Sequence, residues 1–297
     1  RYGDRRIWNG YSHYTIFLYI PDFTNQHLFL LCGFVIKCFT NIFNIAYFDH
    51  GRVEVYMNTK REIASLHEVV KNYGEGKVIT KALQGISLKI LEGDFSVMMG
   101  PSGCGKSTLL NIIGGLDRAT SGDVKFNDQD FSTLSNKALS MIRRQHIGFV
   151  FQNFNLLPVL NAYENAEYVL MLQGVSPTKR REKVMHLFQE MGLDGLENRY
   201  PRELSGGQQQ RVAIARAVAT EPQLVLADEI TANVDSKTAQ SLLELMVALN
   251  KNNNTTFLFS THDPSVIKFA KKIIILKDGI INSEKASSEE IERFTHK

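Results

Sequence analysis

The stretch Gly100-Pro101-Ser102-Gly103-Cys104-Gly105-Lys106-Ser107 constrains this chain more than any other. It fits the pattern G-x-x-x-x-G-K-[ST] in the context that pattern needs. An apolar run, Phe95-Ser96-Val97-Met98-Met99, precedes it, and an apolar helical stretch from Lys106 to Ile113 follows. Glycines let the backbone curl so that several N–H groups point inward. Those donors and the positive end of the helix attract phosphate oxygens. Lys106 is placed to reach β- and γ-phosphates, and Ser107 to put its hydroxyl on Mg²⁺. A structural Gly-rich turn is the blander reading, and the flanking strand and helix speak against it. A dinucleotide-binding turn would need a third spaced glycine in place of Gly-Lys-Ser.

Such a cradle demands an α/β frame, and the sequence from Met57 onward reads as one. Gln223-Leu224-Val225-Leu226-Ala227, Thr255-Thr256-Phe257-Leu258-Phe259 and Lys272-Ile273-Ile274-Ile275-Leu276 are further apolar runs of strand length, the last closed by the turn Lys277-Asp278-Gly279. Fully apolar strands between helices imply a sheet covered on both faces. Leu242, Met246 and Leu249 recur at i, i+4, i+7, which predicts an amphipathic helix over Ala239 to Asn250. The polar tail Ser287 to Lys297 reads as a short surface helix or frayed end.

Two more motifs carry chemistry. Asp228 and Glu229 follow the run Leu224 to Ala227, where a carboxylate is expected beside the phosphate cradle to hold a Mg²⁺ shell. Glu229 points differently and could orient or deprotonate an attacking water. The alternative is a solvated acidic turn. Leu204-Ser205-Gly206-Gly207-Gln208 precedes a helix predicted over Gln209 to Ala219, which makes a second phosphate-seeking helix start. Taken alone, that turn could equally be a capped helix end. The chain thus holds two such helix starts but a single Gly-Lys-Ser.

Residues 1–56 have a different character. Of the 29 aromatic residues, 14 lie before Met57, and no methionine precedes it. The run Leu28 to Phe48 is long enough to span a bilayer, but Lys37, Thr40, Asn41 and Asn44 interrupt it. The segment reads as not native to the protein, with translation starting at Met57, or as one membrane helix at most. Val53-Glu54-Val55-Tyr56 back-translates compatibly with a bacterial ribosome-binding site. No signal-peptide pattern stands out. The chain as a whole has the composition of an ordinary globular protein, 43% hydrophobic and 22% charged. The formal charge of +3 gives no nucleic-acid footprint. Cys32, Cys38 and Cys104 are too scattered for a disulfide framework or a zinc site.

Gly100 to Ser107, Leu204 to Gln208, Asp228-Glu229 and a later His262, in that order, resemble the ATP-binding subunit of an ABC transporter, over Glu62 to Ser283. Asn111 to Asp117, Ile147 to Gln152 and Leu204 to Arg216 resemble the branch of macrolide exporters, lipoprotein-release systems and antimicrobial-peptide efflux pumps. The resemblance implies a P-loop NTPase core, a small antiparallel β region before residue 95, and an inserted helical subdomain over 153–212, all within a domain of 57–297. It implies that Tyr73 stacks on adenine, and that Gly100 to Ser107 together with Thr108 hold the phosphates. Gln152 would link the γ-phosphate and Mg²⁺ to the helical subdomain. Ser205, Gly206, Gly207 and Gln208 would contact ATP held by a second copy. Asp235 matches the acidic residue of the loop after the carboxylate pair, and His262 the histidine that contacts the γ-phosphate.

A head-to-tail pair of copies would accommodate the two cradles, with each ATP between Lys106 of one and Ser205 of the other. The other implied partner is a membrane permease, docked near Asn153 to Leu170, and the implied place is the cytoplasmic face of a bacterial cell membrane. Export is favoured, and no nucleic-acid partner is expected. The family usually has Pro at Ile230, Gly at Ala232 and Leu at Val234. Cys104 replaces a common serine, and its place among cradle amides predicts inhibition by thiol reagents. The competing classes are a non-transport ATPase of translation or DNA maintenance, which usually carries paired ATP domains or long coiled coils, and a half-transporter, which needs several spans.

Overall fold

The computed structural model describes residues 7–8, 11–15, 45–49, 52–57, 60–74, 78–230, 236–261 and 264–285. Contacts divide the chain into two units, Arg1–Arg61 and Glu62–Lys297. In the first, β1 (Ile7–Trp8), β2 (Tyr11–Thr15), β3 (Ile45–Asp49) and β4 (Arg52–Met57) form an antiparallel sheet in the order β1-β2-β4-β3. The end of the apolar run, Ile45–Phe48, is strand, and residues 28–44 lie outside the described residues. Met57 ends β4, paired with Ser12, so the compositional change falls just before the division between units. No helix among the described residues is long and apolar enough to cross a membrane.

The second unit is built on a six-stranded sheet ordered β10-β11-β12-β7-β13-β14: Ile147–Val150, Leu224–Asp228, Thr256–Thr261, Phe95–Met99, Lys272–Lys277 and Ile280–Lys285. All pairs are parallel except β13–β14. Strand alternation sends successive side chains to opposite faces, and both faces are buried. Leu224 and Leu226 join Met98, Leu258 and Ile274 in one apolar cluster. Val225 and Ala227 join Phe95, Val97, Phe257 and Phe259 in the other.

On the first face lie α1 (Lys106–Ile113), α2 (Asn136–His146) and a four-stranded antiparallel sheet, β6-β5-β8-β9, made of Thr80–Leu91, Glu62–Tyr73, Ser121–Phe126 and Gln129–Asp130. The expected antiparallel region before residue 95 is therefore only part of that sheet. Its other two strands come after α1, because Ala64 to Val70 of β5 need partners on both edges and β8 supplies the second.

On the opposite face pack α3 (Ala162–Leu172), α4 (Pro177–Glu190), α5 (Gly206–Val218) and α6 (Ser236–Asn253). The stretch 153–212, expected as a helical subdomain, holds the first two of these helices and the start of the third. However, α5 runs on to Val218, because Ala215, Ala217 and Val218 seal the sheet face. The helix predicted over Ala239 to Asn250 is α6, longer at both ends.

Candidate functional site

The cradle begins where β7 ends. Gly103 and Gly105 take left-handed backbone conformations, φ +77° and +107°, and a Cβ on Gly105 would come 2.6 Å from the Ala82 carbonyl oxygen. Glycine is required there on both counts. Gly105 caps α1, whose first turn carries no acidic residue to occupy its free amides. Pro101, Ser102, Gly103 and Ser107 are exposed, and Gly100 and Thr108 are half-buried. The loop is braced from below: the Gly279 amide donates to the Cys104 carbonyl (3.1 Å), and the Gln84 amide to the Gly279 carbonyl (2.8 Å). The turn Lys277-Asp278-Gly279 thus supports the cradle.

Lys106 is buried, and its Nζ donates to the carbonyls of Gly100 (2.8 Å) and Pro101 (3.0 Å). Its charge is folded over the loop on exchangeable partners. Cys104 corrects an expectation. Its side chain is only 4% exposed and belongs to the apolar cluster under α1. The thiol is buried away from solvent, which slows its reaction with reagents.

Strand register puts the other candidates on the same carboxyl edge of the sheet. Met99 pairs with Thr261, Asp228 with Ser260, and Val150 with Ala227. The cradle, the Asp228-Glu229 pair and the exposed Gln152 all leave from that edge, where open α/β sheets bind ligands. Asp228 is not beside the cradle strand, because β12 lies between β11 and β7. The intervening strand contributes Ser260, which sequence reasoning missed. Its hydroxyl donates to Asp228 Oδ1, and its carbonyl accepts the Glu229 amide at 2.9 Å. Ser260 is 1% exposed. Glu229 has φ +46°, a costly conformation of the kind found at functional sites.

Ser205 caps α5 in a reciprocal box. Its Oγ accepts the Gln208 amide (3.3 Å), and its own amide donates to Gln208 Oε1 (2.9 Å). Gly206 and Gly207 form the first turn, with no acid near it. A Cβ on Gly207 would lie 2.7 Å from Thr238 Cγ2, so this turn packs closely on α6. Asp235 and His262 lie outside the described residues, as do Ala232 and Val234. Ile230 is buried.

Tyr73 ends β5 and is 41% exposed. Burial, then hydrogen bonding to Asp117, pushes its phenol above the ordinary value, with the Thr108 hydroxyl acting in the other direction.

Sheet, cradle and signature turn together define a nucleotide-binding cassette. A family model described as "ABC transporter" matches residues 83–232. An uncharacterized ABC transporter ATP-binding protein of Methanocaldococcus jannaschii is 45% identical over 223 residues, 74% of this chain and 95% of that protein. Its solved structure, a dimeric post-hydrolysis state bound to ADP and Pi, superimposes with a TM-score of 0.72, covering 75% of this chain and 98% of that one. The macrolide export ATP-binding/permease protein MacB of Syntrophobacter fumaroxidans is 45% identical over 225 residues, but the chain spans only 32% of its length. The chain belongs to the ABC transporter family. It is an ABC-type ATPase, the ATP-binding component of such a system.

Proposed function

We propose that this chain works as a head-to-tail pair that clasps two ATP molecules and drives a separate membrane permease, with export the favoured direction. The observation that carries this reading is that two glycine-rich turns, Gly100–Ser107 and Ser205–Gln208, each open a helix whose first turn holds no acid, and only the first brings a Gly-Lys-Ser. A second copy supplies the missing half of each site. The dimeric archaeal relative and the macrolide export relatives point the same way.

In this reading ATP approaches the open amides of Gly100 to Ser107 and Thr108. Lys106 exchanges the Gly100 and Pro101 carbonyls for phosphate oxygens, and Tyr73 stacks on the base. The hydroxyl of Ser107, the carboxylate of Asp228 and the amide of Gln152 are hard oxygen donors with a single carboxylate, which suits Mg²⁺ shared with phosphates. No group of three or more His, Cys, Asp or Glu among the described residues could hold a metal alone. Mg²⁺, when bound, neutralises charge on the β- and γ-phosphates. Glu229 orients and deprotonates the attacking water, and His262 contacts the γ-phosphate. Ser205, Gly206, Gly207 and Gln208 of the other copy close over the triphosphate, with Asp235 at the boundary between copies.

The permease docks on a groove of about 310 Å³ beside the Gln152 loop, lined in part by Leu116, Phe149, Phe151, Val169 and Leu172. Leu116 and Leu172 are nearly half exposed there. The pair would sit at the cytoplasmic face of a bacterial membrane, held by that permease.

The test is Glu229→Gln. This variant is expected to bind ATP and lose hydrolysis by at least about a hundredfold, the lower end of what a general base contributes. Hydrolysis at the wild-type rate would remove Glu229 from this role.

A further inference from the structure

Two side chains to which the sequence assigned no role hold Tyr73 in place. Asp117, in the loop after α1, accepts the Tyr73 hydroxyl on Oδ2 at 2.7 Å and Lys71 Nζ on Oδ1 at 2.7 Å. Lys71 also donates to the Arg118 carbonyl at 2.8 Å. The same ammonium lies over the Tyr73 ring, 4.7 Å from its centroid. The cation thus covers one face of the ring, while the residue as a whole stays 41% exposed. The Lys71 side chain is only 12% exposed, so it is committed to this cluster.

The cluster is tied to the cradle helix. The amides of Leu116 and Asp117 both donate to the Asn111 carbonyl of α1. Arg118 then anchors the loop through the carbonyls of Phe131 and Leu134. The helix that presents amides to phosphate therefore also sets where the aromatic ring stands.

We propose that Lys71 and Asp117 are positioning residues that preset the Tyr73 ring, with one face closed by the ammonium and the other offered to the nucleotide base, at a fixed reach from the cradle. This rests on the stacking reading of Tyr73 given above. Pre-ordering the ring spares ordering entropy on binding. The nearby cation adds to the ring's fixed orientation.

The test titrates the full chain with ADP, which is not turned over, and with inorganic tripolyphosphate, which lacks a base. Tyr73→Ala is expected to weaken ADP roughly tenfold, as loss of one aromatic stack does, and to leave tripolyphosphate unchanged. Lys71→Met and Asp117→Ala are each expected to weaken ADP about three- to tenfold, again with tripolyphosphate unchanged. Added to Tyr73→Ala, either should cost little more, since residues acting as a unit are not additive. If both variants bind ADP like the wild type while Tyr73→Ala does not, the positioning role is wrong and stacking stands. If they weaken ADP and tripolyphosphate alike, the two residues merely support the fold and the proposal fails. If Tyr73→Ala itself binds ADP normally, stacking falls and the proposal with it.

Discussion

Ser260 holds both acidic residues, donating its hydroxyl to the Asp228 carboxylate and accepting the Glu229 backbone amide on its carbonyl. Groups that orient a ligand residue typically matter by ten- to a hundredfold. Ser260→Ala is therefore expected to lower ATPase activity roughly tenfold and raise the Mg²⁺ concentration needed for half-maximal rate. An unchanged Mg²⁺ requirement in a magnesium titration would contradict this. Asp117 illustrates a balance of opposed effects. Burial works to raise its carboxyl, but Lys71, Tyr73 and the Arg118 amide hold it below the usual carboxylate range. A depressed folded-state value stabilises the protein above the unfolded value, and the benefit is lost as pH falls through the folded one. Asp117→Asn should therefore flatten the loss of thermal stability below about pH 4. Cys104 is expected to react with thiol reagents far more slowly than a free thiol, with ATP slowing it further; fast labelling timed by mass spectrometry would argue against the buried placement.

At the scale of elements, two polar side chains shape the loop between Gln152 and α3. Asn165, fully buried, accepts the Leu157 amide at 2.7 Å and donates to the carbonyls of Leu157, Leu160 and Asn161. Arg216 of α5 donates to the carbonyls of Phe154 (2.7 Å) and Asn155 (2.6 Å), both at positive φ. The helix that starts with the signature turn thus grips the loop that follows Gln152. Asn165→Ala removes the side-chain partner of the Leu157 amide and of the Leu160 carbonyl and empties a fully buried polar site, and should cost about 1–3 kcal/mol, read as a lower melting temperature. A change under about 0.5 kcal/mol, the range of ordinary surface substitutions, would contradict the burial argument. These anchors also mark the limit of what the sequence revealed. The cradle and the Ser205–Gln208 box are legible because glycine, lysine and capping residues at fixed spacing dictate local backbone. The strands β7, β11, β12 and β13 are legible because they are unbroken apolar runs. By contrast, β8 and β9 have no pattern that assigns them to the sheet begun by β5, and Lys71 meets Asp117 only because the fold closes 46 positions of separation. Ser260 looks like any strand-end serine until β12 is placed between β11 and β7.

At the scale of the whole molecule, the proposed function has each chain present half of two different sites, which makes the working unit a pair. Complementation tests this most directly. Lys106→Ala removes the phosphate lysine, and Ser205→Arg blocks the signature turn, so neither variant alone should hydrolyse ATP. Mixed, they should form pairs in which Lys106 of one copy faces Ser205 of the other across one intact site. ATPase activity that appears on mixing, and rises with the concentration of either variant, is the predicted result. No activity in the mixture, together with full-speed turnover by the wild-type chain as a monomer in analytical ultracentrifugation, would contradict the account.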